Sequence, residues 1–263
     1  MTPRLVTLGD SFTEGLQDDL GPEGRHRGWA DRVAEALAVH HGGVEYANLA
    51  VRGRLLDQVV DEQVPIALDL EPDLVTFHAG PNDVLRPSLD LPGLLARYEA
   101  AVARLARSGA RVVLFTVVGR SGARGRLSDA VARRFAAFND DVRATARRHG
   151  ALLVDVGASD AMRDARLWHE DRLHLNALGH ARVAAAVLEA LDVGDPSLTG
   201  GPTGWWRDPL PRARHTSAPA RVATEVRWVR RHLLPWVGRR VRGVSSGDAV
   251  RPKHVELVVV RPR

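Results

Sequence analysis

The chain has 263 residues, 44% of them hydrophobic, and a net charge of +5. This charge is unevenly distributed, since residues 200–263 carry a net charge of +10 and the first 199 residues carry −5. It contains no cysteine, which excludes disulfide bonds, thiolate metal sites and a cysteine nucleophile. The first residues form no basic segment followed by an apolar stretch, and no run of about 18 apolar residues occurs, so we expect neither a signal peptide nor a transmembrane helix and predict a cytoplasmic protein.

Apolar runs and helical spacings alternate along the first 195 residues. In chain order, the predicted strands are 5–8, 44–49, 74–77, 111–118 and 152–154. The predicted helices are 29–40, 55–64 (ending near Pro65), 91–107, 127–149 and 178–191, with a glycine-rich loop at 119–125. Strands that alternate with helices predict an α/β fold with a five-stranded parallel sheet covered by helices on both faces.

A break at Gly194-Asp195-Pro196 separates this unit from the basic end of the chain. We predict a domain at 1–195 and a basic C-terminal extension, rich in arginine and tryptophan, at 196–263. Within the extension, 255–260 is typical of a strand, and a helical stripe is formed by Val222, Val226, Val229, Leu233 and Trp236. Three interpretations stay open: the extension packs on the domain, makes weak contact with anionic surfaces, or is disordered. No nucleic-acid-binding motif occurs, so nucleic acid is not a predicted partner.

Four short stretches carry the polar residues of interest. They are Gly9-Asp10-Ser11 after the first strand, Ala47 to Gly53 after the second, Gly80-Pro81-Asn82-Asp83 after the third, and Asp171 to Gly179 before the last helix. Ligands of open α/β sheets bind at the carboxyl ends of the strands. We therefore expect the four stretches to converge on one crevice.

The residue types in these stretches suit ester hydrolysis. The Ser11 hydroxyl needs a base to act as a nucleophile, and His174 is a candidate base. Asp171 lies three residues before His174, near enough to accept the other imidazole N–H and fix its tautomer. An oxyanion needs preorganised donors, which the Asn82 amide and the backbone N–H groups of Gly53 and Ser11 supply. Asp83 is expected to hold its loop through hydrogen bonds to the backbone.

On these residues the sequence resembles the SGNH hydrolases, also called the GDSL esterase/lipase family. Ser11, Gly53, Asn82 and His174 match the four residues of the family name, in order, over about residues 3–192. Phe12 stands where the GDSL motif has leucine, at an apolar packing position. The resemblance implies a three-layer α/β/α, flavodoxin-like fold and ester hydrolysis without a metal or cofactor.

The sequence therefore predicts a serine esterase with the catalytic residues Ser11, Asp171 and His174 and an oxyanion hole formed by Ser11, Gly53 and Asn82. Its expected partner is a small-molecule ester. A carbohydrate O-deacetylase of the same fold is the alternative within the enzyme class. An alternative of a different class is a non-catalytic module that binds anionic surfaces through the basic extension. The acyl chain, the alcohol and the oligomeric state are left open.

Overall fold

One six-stranded sheet forms the centre of the computed structural model, which describes residues 2–21, 23–118, 126–212, 228–235, 238 and 246–262. Each strand is a short run in which apolar, β-branched or aromatic residues predominate, as pleated and partly buried backbone favours. The strands are β1 (Arg4–Gly9), β2 (Val44–Asn48), β3 (Leu74–His78), β4 (Arg111–Phe115), β5 (Leu152–Val154) and β6 (His254–Val260).

The strand order is β5-β4-β3-β1-β2-β6. The first five strands are parallel, whereas β6 runs antiparallel to β2 at the edge. The predicted α/β architecture is confirmed, but the predicted count of five strands is wrong. The sixth strand comes from the C-terminal extension, and its pairing with β2 joins residues about 210 positions apart, which no local pattern indicates. The order reverses between β1 and β3, the position where such sheets bind ligands.

Helices cover both faces of the sheet. They are α1 (Ser11–Glu14), α2 (Gly28–His41), α3 (Leu56–Gln58), α4 (Val64–Asp69), α5 (Pro81–Val84), α6 (Leu91–Ala106), α7 (Arg126–His149), α8 (Ala177–Ala190) and α9 (Pro196–Thr199). Two apolar clusters result from the alternation of side chains along the strands. One lies beneath α2 and α8, and the other beneath α4, α6 and α7. No helix among the described residues is long and apolar enough to cross a membrane.

The helix expected to end near Pro65 continues past it. A π-helical turn at Val59–Gln63 joins α3 to α4, and Pro65 is the second residue of α4. Proline lacks an N–H and clashes with the carbonyl four residues earlier inside a regular helix. The wider turn ends just before Pro65, where a new first turn tolerates proline.

Much of the C-terminal extension packs on the sheet and helices. Trp206 is buried, and Arg182 of α8 donates hydrogen bonds to the carbonyls of Trp206 and Asp208. Residues 228–235 are helical, whereas the loop at 119–125 and the predicted stripe residues Val222, Val226 and Trp236 lie outside the described residues. Packing is the interpretation that the described part of the extension supports. The boundary at residue 195 and the contact with anionic surfaces stay predictions.

Lys253 joins the extension to the interior of the protein. Its ammonium lies 2.5 Å from Asp31 Oδ2 and donates to the Arg27 carbonyl at 3.1 Å. Asp31 accepts a hydrogen bond from the Tyr46 hydroxyl at 2.7 Å, and that hydroxyl accepts from the Asn48 amide. Burial raises the pKa of Asp31 against the opposing effect of Lys253. The ion pair is largely buried, with side-chain exposures of 7% for Lys253 and 16% for Asp31.

Replacing Lys253 by methionine should lower the free energy of unfolding by about 3–5 kcal/mol, because it leaves a buried carboxyl without its cation. The matched control is Arg163→Met, which breaks the exposed pair with Asp160 and should cost less than about 1 kcal/mol. Urea denaturation of both variants measures the difference. Equal losses would contradict a buried role for Lys253.

Candidate active site

Ser11 lies at the sharp turn between β1 and α1. Asp10 caps α1, since its Oδ1 accepts the Phe12 N–H at 3.0 Å, and Ser11 is the first helical residue. Gly9 has φ +150°, and a Cβ there would lie 2.5 Å from the His78 carbonyl oxygen. Only glycine permits this approach of β1 to β3. The turn therefore presents Ser11 at the carboxyl edge of the sheet.

The structure brings Ser11, His174 and Asp171 into one hydrogen-bonded chain. His174 Nε2 lies 3.1 Å from Ser11 Oγ, and His174 Nδ1 lies 2.8 Å from Asp171 Oδ2. Ser11 precedes His174 by 163 positions, so tertiary folding alone makes this contact. The geometry lets the imidazole accept the serine proton while the carboxylate holds its other nitrogen.

Asp171 is tightly held by its own loop. Its Oδ1 accepts the backbone N–H groups of Leu173 at 2.8 Å and His174 at 3.0 Å. Burial raises the pKa of Asp171, but the hydrogen bond from the His174 ring and these backbone donors outweigh it and hold the pKa well below its usual range. Asp171 is therefore ionised at neutral pH. Trp228, from the C-terminal extension, donates its indole N–H to the Asp171 carbonyl at 3.2 Å.

Two of the predicted oxyanion donors are the backbone N–H groups of Ser11 and Gly53. The Ser11 N–H is an end group of α1, which leaves it without a partner inside the helix. Gly53 lies in the turn after β2 with φ +76°. In the described part of the chain, neither N–H is hydrogen-bonded to an acceptor. Both groups are thus able to donate to a ligand.

Asn82, the third predicted donor, is the second residue of α5, just after β3. Its Nδ2 lies 3.0 Å from Asp10 Oδ2 and 3.0 Å from the Arg54 carbonyl oxygen. It therefore connects the Ser11 turn with the Gly53 turn. The neighbouring Asp83 accepts the Leu56 N–H at 2.9 Å, which is the backbone contact expected for it.

A family model matches most of the chain in which this site lies. That of the GDSL-like lipase/acylhydrolase family matches residues 7–182, well over half of the chain. The chain belongs to the GDSL-like lipase/acylhydrolase family. The resemblance inferred from the four stretches is confirmed, and membership identifies this GDSL protein as a carboxylic ester hydrolase.

Solved structures of hydrolases, two of them described as esterases, share the fold of this GDSL hydrolase. LAE5, an alpha/beta hydrolase enzyme from the metagenome of Lake Arreo, is 26% identical with a TM-score of 0.57, over 73% of this chain and 97% of that one. A catalytic mutant of Axe2, an acetylxylan esterase from Geobacillus stearothermophilus, is 20% identical with a TM-score of 0.60, over 81% and 99%. The psychrotrophic esterase EstA from Pseudoalteromonas sp. is 16% identical with a TM-score of 0.57, over 72% and 97%. None of the curated proteins matches the chain in sequence.

Gln63 is a residue of this GDSL site that sequence reasoning missed. Its buried amide accepts the Gly9 N–H at 2.8 Å and donates to the Gly9 carbonyl at 2.9 Å. This two-point contact holds the backbone immediately before Asp10 and Ser11. No signal in the sequence indicates this contact, because Gln63 directly follows two acidic residues in the same helical segment.

The pair formed by Glu14 and Arg52 was also missed. Glu14 accepts the Arg52 N–H at 2.7 Å and pairs with its guanidinium, which ties α1 of the GDSL turn to the residue before Gly53. Among the described residues, no three His, Asp or Glu side chains are grouped to hold a metal ion.

Proposed function

We propose that this protein is a serine esterase that hydrolyses carboxylic esters through an acyl-enzyme on Ser11. The observation that carries the proposal is the chain from Ser11 Oγ through His174 to Asp171, with links of 3.1 and 2.8 Å. Ser11 supplies the nucleophile, His174 the base, and Asp171 the group that orients the base. The reaction needs no metal or cofactor, since His174 activates the serine.

In the first half of the reaction, Ser11 Oγ forms a bond to the ester carbonyl carbon while its proton passes to His174 Nε2. The carbonyl oxygen becomes an oxyanion and receives hydrogen bonds from the N–H groups of Ser11 and Gly53. The Asn82 amide donates to it with the hydrogen that faces the Arg54 carbonyl in the free protein, while its other hydrogen stays on Asp10. As the tetrahedral intermediate collapses, the bond to the alcohol oxygen breaks, and His174 protonates the leaving alcohol.

In the second half, water attacks the acyl carbon and gives its proton to His174. The bond to Ser11 breaks, Ser11 regains the proton, and the carboxylic acid leaves. Asp171 supports both halves because its ionised carboxylate keeps the imidazole proton on Nδ1. The negative charge of Asp171 also stabilises the imidazolium that forms in each half.

A carbohydrate O-deacetylase is the second candidate. It differs from a general esterase in the substrate, an acetyl ester of a sugar hydroxyl, and not in the reaction, so the same residues serve both. The likeness in fold to Axe2, described as an acetylxylan esterase, favours this alternative over other alcohols. The acyl group would then be acetyl.

Hydrolysis of p-nitrophenyl esters of increasing acyl length, beside acetylated xylose and xylo-oligosaccharides, tests the proposal. We expect turnover of the aryl esters. A preference for acetyl together with release of acetate from the sugars would select the deacetylase. Ester turnover without sugar turnover would select the general esterase. No turnover of any ester by folded protein would contradict the proposed function.

A further inference from the structure

A second histidine faces a second carboxylate directly behind the Ser11 turn. His78 is the last residue of β3 and pairs in register with Gly9 of β1. Its Nδ1 lies 3.5 Å from Asp10 Oδ1, and the side chains are only 8% and 5% exposed. These residues are distinct from His174 and Asp171, and the mechanism above assigns them no role.

Asp10 makes more contacts than a helix cap requires. Capping α1 needs only Oδ1, which accepts the Phe12 N–H. The other oxygen, Oδ2, accepts a hydrogen bond from Asn82 Nδ2 at 3.0 Å. Since Asn82 Nδ2 also donates to the Arg54 carbonyl, two acceptors on different loops fix the plane of the amide and engage both of its hydrogens. Donation to a substrate oxygen therefore uses the hydrogen that faces Arg54, while Asp10 keeps the other and holds the amide in place.

His78 is held so that its ring faces Asp10. The ring centroid lies 4.3 Å from that of Phe12 and 6.1 Å from that of Phe115. Its buried Nδ1 makes no hydrogen bond in the described part of the protein, and the Asp10 carboxylate is the charged group that it approaches. Buried polar atoms generally have a hydrogen-bond partner, and Asp10 Oδ1, at 3.5 Å, is the acceptor towards which His78 Nδ1 is directed.

The position of Asp10 has an electrostatic consequence. A carboxylate beside an oxyanion donor orients that donor but also opposes negative charge on the substrate oxygen. A hydrogen on His78 Nδ1, directed at the opposite oxygen of the carboxylate, draws negative charge away from Asn82. The histidine thus reduces the repulsion between the Asp10 carboxylate and the oxyanion, while Asp10 still orients the Asn82 amide.

We propose that His78, Asp10 and Asn82 form a second chain in this site, in which Asp10 positions the Asn82 amide and His78 orients Asp10. The inference rests on the proposed function, because it takes Asn82 as an oxyanion donor. His78 and Asp10 are positioning residues. They act on the reaction only through the direction and charge of the Asn82 amide.

A double-mutant cycle of Asp10→Asn and Asn82→Ala tests this chain, with kcat and KM measured per folded molecule. Asn82→Ala should lower kcat by about 10²–10³-fold with little change in KM, because the donor acts on the transition state. Asp10→Asn keeps the volume of the side chain but places an N–H₂ group against a donor. It should lower kcat by about 10- to 100-fold, less than loss of the donor itself. The double variant should be no slower than Asn82→Ala alone.

Two variants of His78 extend the test without altering the helix cap. His78→Phe keeps the packing on Phe12 and removes Nδ1, so kcat should fall at constant KM. His78→Asn returns an amide nitrogen near the position of Nδ1 and should restore much of the loss. Thr76→Val is the matched control in the same strand, since its buried hydroxyl has no partner among the described residues, and kcat should not change.

The possible failures are distinguishable. Wild-type kcat in Asn82→Ala would remove Asn82 from the proposed function. A slow Asn82→Ala combined with losses that multiply in the double variant would overturn only the second chain, since Asp10 would then act through α1. If Asp10→Asn does not fold, full kcat in His78→Phe overturns the proposal, and a loss that His78→Asn restores supports it.

Discussion

Replacing Ser11 by alanine should lower kcat for p-nitrophenyl acetate by about 10⁵- to 10⁶-fold. Without Oγ, His174 has no hydroxyl to activate and no acyl-enzyme forms. The oxyanion donors and substrate binding remain, and such remnants accelerate hydrolysis by only about 10³–10⁴ over water. The fold should be unaffected, because the Asp10 cap and the Gln63 contact with Gly9 do not involve the serine side chain.

Labelling with a fluorophosphonate, followed by peptide mass analysis, identifies the nucleophilic serine independently of the rate measurement. The wild type should carry the label on Ser11, and Ser11→Ala should carry none. The control is Ser159→Ala, in the turn after β5, which should keep both labelling and turnover. A Ser11→Ala protein that is labelled on another serine and turns over normally would contradict Ser11 as nucleophile.

Replacing Asp171 by asparagine should lower kcat/KM by about 10⁴-fold. Asparagine keeps an acceptor for the N–H groups of Leu173 and His174 but turns N–H₂ towards His174 Nδ1. That group favours the tautomer with hydrogen on Nε2, which donates to Ser11 instead of accepting its proton. His174 then stays beside Ser11 but is in the tautomer that cannot accept the serine proton.

Thermal unfolding distinguishes this effect from a collapsed loop. We expect Asp171→Asn to melt close to the wild type, because the backbone contacts of its Oδ1 are kept. Asp160→Asn makes the same chemical change at a side chain 94% exposed and should alter neither rate nor melting temperature. A near-wild-type rate in Asp171→Asn would remove the carboxylate from the mechanism.

The sequence predicted the elements that local pattern determines. Apolar runs of strand length and helical spacings indicated β1 to β5 and α2, α6, α7 and α8, because burial of one face imposes a period on each element. Gly9-Asp10-Ser11 and Asp171 to His174 stood out for a similar reason. A capped turn after a strand and a carboxylate three residues before a histidine are both local arrangements.

The tertiary structure decided what depends on distant partners. The pairing of β6 with β2 and the contact of Lys253 with Asp31 join the C-terminal extension to elements within the first 50 residues. The order of strands brought Asp10, His78 and Asn82 within contact, although neither amphipathic period nor turn chemistry relates them. The sequence by itself determined which side chains could carry out ester hydrolysis. Packing determined which backbone and side-chain atoms hold them, because a hydrogen bond across the sheet leaves no periodic signal in either strand.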